Sequence, residues 1–133
     1  MEGNCLFCKL RNVKENIVME TENIYVICDR YPCSNRHLLL IFKEHQSLFH
    51  EYQNERLEEM IVLIKTLAIK LGFEKYNLLQ NNVNGQQIPH CHFHLIEANE
   101  TGCLKVNSTP LELSEDDYRK SVEEVKGLLN KSC

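Results

Sequence analysis

The sequence predicts an α+β domain, an antiparallel sheet of about five strands with one long central helix and a second helix at the C-terminus. Three observations lead there. Short segments rich in Ile, Val, Leu, Tyr and Phe follow one another in meander order with turn residues between them. A single long stretch, 56–71, carries apolar residues at one-face helical spacing. Strands and helices do not alternate strictly, as a doubly wound parallel sheet would require.

The elements follow in chain order. Residues 17–20, 24–29 and 38–43 read as three strands. The helix over 56–71 rests on apolar residues at 57, 60, 61, 64, 67, 68 and 71, and Gly72 follows as a left-handed stop. A strand over 76–80, a polar loop over 81–87 and a strand over 88–96 come next. The tail opens with Ser114 and Asp117 at capping-box spacing, and Val122, Val125, Leu128 and Leu129 recur at helical intervals, so a second helix is expected to close the domain. No repeat, low-complexity block or Pro/Gly-rich linker divides the 133 residues, and 1–133 reads as a single domain.

Composition narrows the function classes. Fifteen Lys and Arg against nineteen Asp and Glu give a net charge of -4, with no basic run to bind duplex nucleic acid. The longest apolar runs, such as 38–42, fall far short of a membrane span, and no signal or transit pattern opens the chain. The expected location is the cytosol, or cytosol and nucleus. Seven cysteines without a secretory signal disfavour a disulfide framework. Cys5 and Cys8 form a C-x-x-C, which means zinc or redox chemistry; the absence of a surrounding βαβ pattern disfavours redox. Cys28, Cys33, Cys91, Cys103 and Cys133 are expected as small buried residues or exposed thiols.

Three of the six histidines fall in Pro89-His90-Cys91-His92-Phe93-His94. On a strand, alternation puts His90, His92 and His94 on one face and Cys91, Phe93 and Leu95 on the other, toward the core. Neighbouring imidazoles then stand roughly 7 Å apart and can divide labour, one attacking a phosphorus while the next meets the leaving group. The same row could be a satisfied polar face, or the H-x-H half of a metal site.

His90 to Ile96 resembles the signature of the histidine triad (HIT) family, three histidines alternating with apolar residues. The likeness extends to Cys5-Leu6-Phe7-Cys8-Lys9, similar to the opening of the Hint branch, to Asp29 closing a strand, to His37 through His45, and to Asn81-Asn82 and Gly85-Gln86. It covers about residues 4–97, with 98–133 as an extension bearing the terminal helix. The resemblance implies cleavage at the α-phosphate of adenosine or other purine nucleoside phosphoramidates, or of dinucleoside polyphosphates, through a covalent nucleotidyl-histidine. It also implies a homodimer and a small nucleotide as substrate, with no metal needed for the chemistry.

Roles carry over residue by residue. His92 is the expected nucleophile; its second ring nitrogen must hold a proton, for which the family's acceptor is the carbonyl of the residue matched by His90. His94 is expected as general acid or positioning donor. Asn81, Gln86 and Gln87 can offer neutral donors to phosphate oxygens. Gln87 also stands where many Hint-type members carry a Ser that meets the leaving group. Asp29 matches the ribose-binding carboxylate. Leu6, Phe7, Leu10 and Ile27 match the purine slot, though from burial arguments alone all four would be core. His37 is given a supporting role. Cys5, Cys8, His45 and His90 match the four ligands of a structural zinc. Arg36 and Phe42 depart from the family's usual Gly and Pro. Two other readings remain: a metal-dependent hydrolase using His92 and His94 as ligands, and a nucleotide-binding sensor with negligible turnover.

Overall fold

The computed structural model describes residues 2–131. Five antiparallel strands, β1 (Ile17–Glu20), β2 (Ile24–Cys28), β3 (His37–Phe42), β4 (Tyr76–Gln80) and β5 (His92–Glu97), form one sheet in the order β1-β2-β3-β5-β4. Around it stand α1 (Leu6–Leu10), α2 (Asn54–Lys70) and α3 (Glu115–Leu129). The α+β expectation therefore holds, with strand ends shifted by one residue at β2 and β3.

The period of two sorts the sheet into two faces. Ile24, Val26, Leu38, Leu40, Phe42, Cys91, Phe93 and Leu95 meet Met60, Leu63, Ile64 and Leu67 of α2 in the main core. Tyr25, Ile27, Leu39 and Ile41 face the other way and pack with Cys5 and Phe7. The α2 helix ends as its sequence dictates. Gly72 adopts φ +69, its N–H donates to Ile69, and the Phe73 N–H donates to Ala68, a Schellman closure with Phe73 and Ala68 both in the core.

Two expectations need correction. The last strand starts at His92, not at 88. Pro89 has no N–H to offer a ladder, and the chain instead turns, with the His90 N–H on the Ile88 carbonyl and the Cys91 N–H on the Gln46 carbonyl. The tail helix forms where expected, and Ser114 Oγ accepts from the Asp117 N–H at 3.1 Å, but it does not close the domain. None of its residues is buried, and Tyr118, Val125, Leu128 and Leu129 stay exposed. On the helix side of the sheet α2 packs with Tyr52 and Phe73 in the main core, and the opposite side opens into a cleft.

Candidate active site

That cleft, about 1030 Å³, lies over the second face of the sheet. Register builds it. Leu39 pairs with His94 and Ile41 with His92, while Leu79 stands across from His94, so these side chains share one surface. Leu6, Phe7, Leu10 and Ile27 form an apolar wall, and Asp29, Asn81 and Gln87 supply polar groups. The α1 segment is held in place by Tyr25, fully buried, whose hydroxyl donates to the Phe7 carbonyl. Phe7 in turn packs edge-on against the His92 ring at 4.8 Å. Among the described residues Arg30 is the sole Lys or Arg lining the cleft. Gln86 turns away, its amide donating to the Ser47 carbonyl at 2.7 Å. Cys28 and Cys33 line the cleft as exposed thiols, Cys103 is also exposed and Cys91 is buried. Cys133 lies outside the described residues.

The three histidines do not share one face. His92 and His94 do, and their ring centroids are 5.0 Å apart, closer than the roughly 7 Å of the strand repeat because the rings lean together. His90, in the turn before β5, points elsewhere. Its Nε2–H donates to the Phe42 carbonyl at 2.6 Å, which leaves Nδ1 as a lone pair 3.0 Å from His45 Nδ1 and 3.4 Å from Cys5 Sγ. Cys8 Sγ lies 3.3 Å from His45 Nδ1. The donor atoms of Cys5, Cys8, His45 and His90 all lie within 4.8 Å of one another, a group that could hold a metal ion. Four of the six donor separations run from 3.0 to 3.6 Å, near the edges of a tetrahedron whose centre is about 2.0–2.3 Å from N and S ligands. Burial holds the His90 imidazole down at about 4, opposed by its bond to Phe42, so the ring stays neutral and ligand-competent.

The His90 carbonyl serves the other site. It accepts from His92 Nδ1–H at 2.7 Å, so the His92 lone pair sits on Nε2. Burial lowers the His92 pKa, against the pull of the His90 carbonyl and Asp29, and keeps that lone pair available at neutral pH.

His37, given a supporting role from the sequence, stands beside His94 and Asp29. The Cys33 N–H donates to its Nδ1 at 3.0 Å, which places the ring proton on Nε2. That nitrogen lies 2.9 Å from His94 Nδ1 and 3.2 Å from Asp29 Oδ2. His94 therefore accepts at Nδ1 and carries its own proton on Nε2. Burial, with His92 and His37 adding to it, brings His94 down to about 4. Asp29, His37 and His94 also lie close enough to hold an ion, but a cation would need His37 Nε2 without its proton, a form that the Cys33 N–H works against. Asp29 Oδ1 accepts the Tyr31 N–H at 2.9 Å.

A family model described as the HIT domain matches residues 11–101. The chain belongs to the HIT domain family. It is 34% identical over 129 residues to an adenosine 5'-monophosphoramidase of Schizosaccharomyces pombe, covering 92% of this chain and 96% of that one. It is 33% identical over 130 residues to an uncharacterized HIT-like protein of Methanocaldococcus jannaschii, covering 92% and 99% of the two. Among solved structures, the histidine triad nucleotide-binding protein of Candida albicans superposes with a TM-score of 0.80 at 30% identity, over 95% of this chain and 97% of that one. In HIT terms the row is divided, with two histidines lining the cleft and the first at the Cys/His group.

Proposed function

We propose that this HIT protein hydrolyses a nucleoside 5'-phosphate derivative at its α-phosphorus, an adenosine or other purine phosphoramidate or a dinucleoside polyphosphate, through a nucleotidyl-His92 intermediate. The observation that carries the reading is the 2.7 Å bond from His92 Nδ1–H to the His90 carbonyl, which leaves Nε2 unprotonated at the cleft. The purine lies along Leu6, Phe7, Leu10 and Ile27, and the ribose diol on Asp29. Asn81 and Gln87 donate to phosphate oxygens, with Gln87 toward the leaving group.

For a phosphoramidate, His92 Nε2 forms a bond to phosphorus as the P–N bond breaks. The electron pair leaves with the amine, which takes a proton from solvent. The His92 ring, now cationic, keeps its Nδ1 proton on the His90 carbonyl. Water then attacks phosphorus, gives up a proton to solvent and returns the pair to Nε2, releasing the nucleoside monophosphate. His94 acts as a neutral donor at Nε2 rather than as a proton carrier, because a third proton on the His37–His94 pair would set two N–H groups face to face at 2.9 Å. Cys5, Cys8, His45 and His90 would hold zinc, which supplies a crosslink between the amino-terminal segment and the turn at His90, outside the chemistry. Supporting a homodimer, Ile61, Ile69, Phe73, Tyr76 and Leu78 form an apolar groove beside β4, the last strand of the sheet. In the cell we place the protein in the cytosol, or in cytosol and nucleus.

The test is His92→Ala, assayed with adenosine 5'-phosphoramidate and by mass spectrometry for an adenylylated protein. Loss of turnover and of the adduct with AMP affinity kept supports the reading; turnover that survives defeats it.

A further inference from the structure

We propose that the turn over residues 99–102 is a positioning device for the histidines of the cleft: acting through the loop at residues 33–35, it fixes which nitrogen of His37 carries the proton and thereby makes His94 a donor at Nε2. The kinetic consequence rests on the hydrolase reading above; the geometry does not.

The strand that carries His92 and His94 runs directly into this turn. Asn99 and Gly102 exchange backbone hydrogen bonds at 2.9 and 3.1 Å. The turn grips the loop at three points. Thr101 Oγ1 accepts the Asn35 N–H at 2.9 Å, and Asn99 Nδ2 donates to Asn35 Oδ1 at 2.7 Å. Gly102, at φ +155, sits so close that a Cβ would collide with the Cys33 carbonyl oxygen. Both the φ and the contact call for glycine. The Thr101 hydroxyl, 2.5 Å from Asn99 Oδ1, ties the grip to the turn itself.

What is gripped matters because the next group along is the Cys33 N–H, 3.0 Å from His37 Nδ1. A neutral imidazole has one donor and one acceptor nitrogen, and the bond made by one decides the other. With Nδ1 accepting, His37 must donate from Nε2, to His94 Nδ1 at 2.9 Å or to Asp29 Oδ2 at 3.2 Å. His94, accepting at Nδ1, is then left with its proton on Nε2. Should the loop swing the Cys33 N–H away, His37 is free to move its proton to Nδ1, His94 takes the proton between the rings, and its Nε2 turns from donor to acceptor. A phosphoryl group gaining charge would lose a hydrogen bond it needs most at the transition state, which lowers kcat and spares KM.

The test reads the histidine tautomers in the full-length protein by long-range proton–nitrogen NMR, in wild type, Thr101→Val, Gly102→Ala and Thr101→Ser, alongside kinetics on adenosine 5'-phosphoramidate. Wild type and Thr101→Ser are expected to show His37 and His94 as Nε2–H forms. Thr101→Val and Gly102→Ala are expected to show averaging toward Nδ1–H, with kcat down about tenfold and KM within about twofold. An Nδ1–H form of either ring in wild type overturns the proposal. So do unchanged tautomers in both variants, whatever happens to kcat. The expected tautomers in a wild-type protein that turns over no nucleotide would support the positioning role and defeat the hydrolase reading instead.

Discussion

His90 faces two ways: its carbonyl oxygen holds His92 Nδ1 at 2.7 Å, while its ring turns to Cys5, Cys8 and His45. The backbone group survives any side-chain change. His90→Ala is therefore expected to cost stability, about 2–4 kcal/mol for a buried polar side chain removed from a network, while retaining far more turnover than His92→Ala. Thermal melts and single-turnover assays at 25 °C, run on both variants, check this; equal loss of turnover would contradict it.

Metal removal should separate the same two functions. A strong chelator is expected to lower the melting temperature of zinc-loaded protein by several degrees, since a ligand bound to the folded state alone stabilises it. Turnover at 25 °C should persist. Metal analysis showing no zinc in protein purified without chelator would count against the assignment.

Acid has two effects with the same sign. Burial holds His92 below the ordinary 6.5, so the attacking lone pair survives below that pH, and the acid limb of kcat/KM is expected under 6.5. For stability, His90 in the metal-free chain and His94 titrate at about 4 when folded against 6.5 as model groups. Between those values the unfolded chain binds more protons, so their contribution is full above about 6.5, falls with pH and is gone below about 4. A kcat/KM profile and urea melts from pH 4 to 8 test both; an inflection above 6.5 would refute the first.

The groove at β4 predicts a quaternary effect. Leu78 is half exposed on the last strand of the sheet. Leu78→Lys is expected to shift a dimer to monomer in sedimentation runs at micromolar concentration, because a charge in an apolar contact costs several kcal/mol. A wild-type monomer would remove the dimer reading.

Much of this was legible in the residues. The period of two put Phe93 and Leu95 in the core and His92 and His94 opposite, and the apolar stripe with Gly72 gave α2 and its end. Where the structure differs from the sequence pattern, the causes are local. Alternation assumes that a strand runs through, and Pro89 stops it, so His90 left the row. No spacing reveals that His37 lies beside His94, because that contact depends on the pairing of β3 with β5. Gln86 shares with Asn81 and Gln87 the amide chemistry that suits phosphate oxygens, and its amide bonds to Ser47 across the loop. An amphipathic pattern shows that a helix can bury a face, not that it does so within its own chain, and α3 stays exposed.

The exposed α3 has an energetic consequence. Fifteen residues are near the lower limit for a helix standing on its own amides in water, and without burial in the sheet their order is not coupled to the cooperative unit formed by β1–β5 and α2. Within a single copy, hydrogen exchange should therefore strip α3 of its protons long before the sheet yields any, giving one chain two separate thresholds of unfolding.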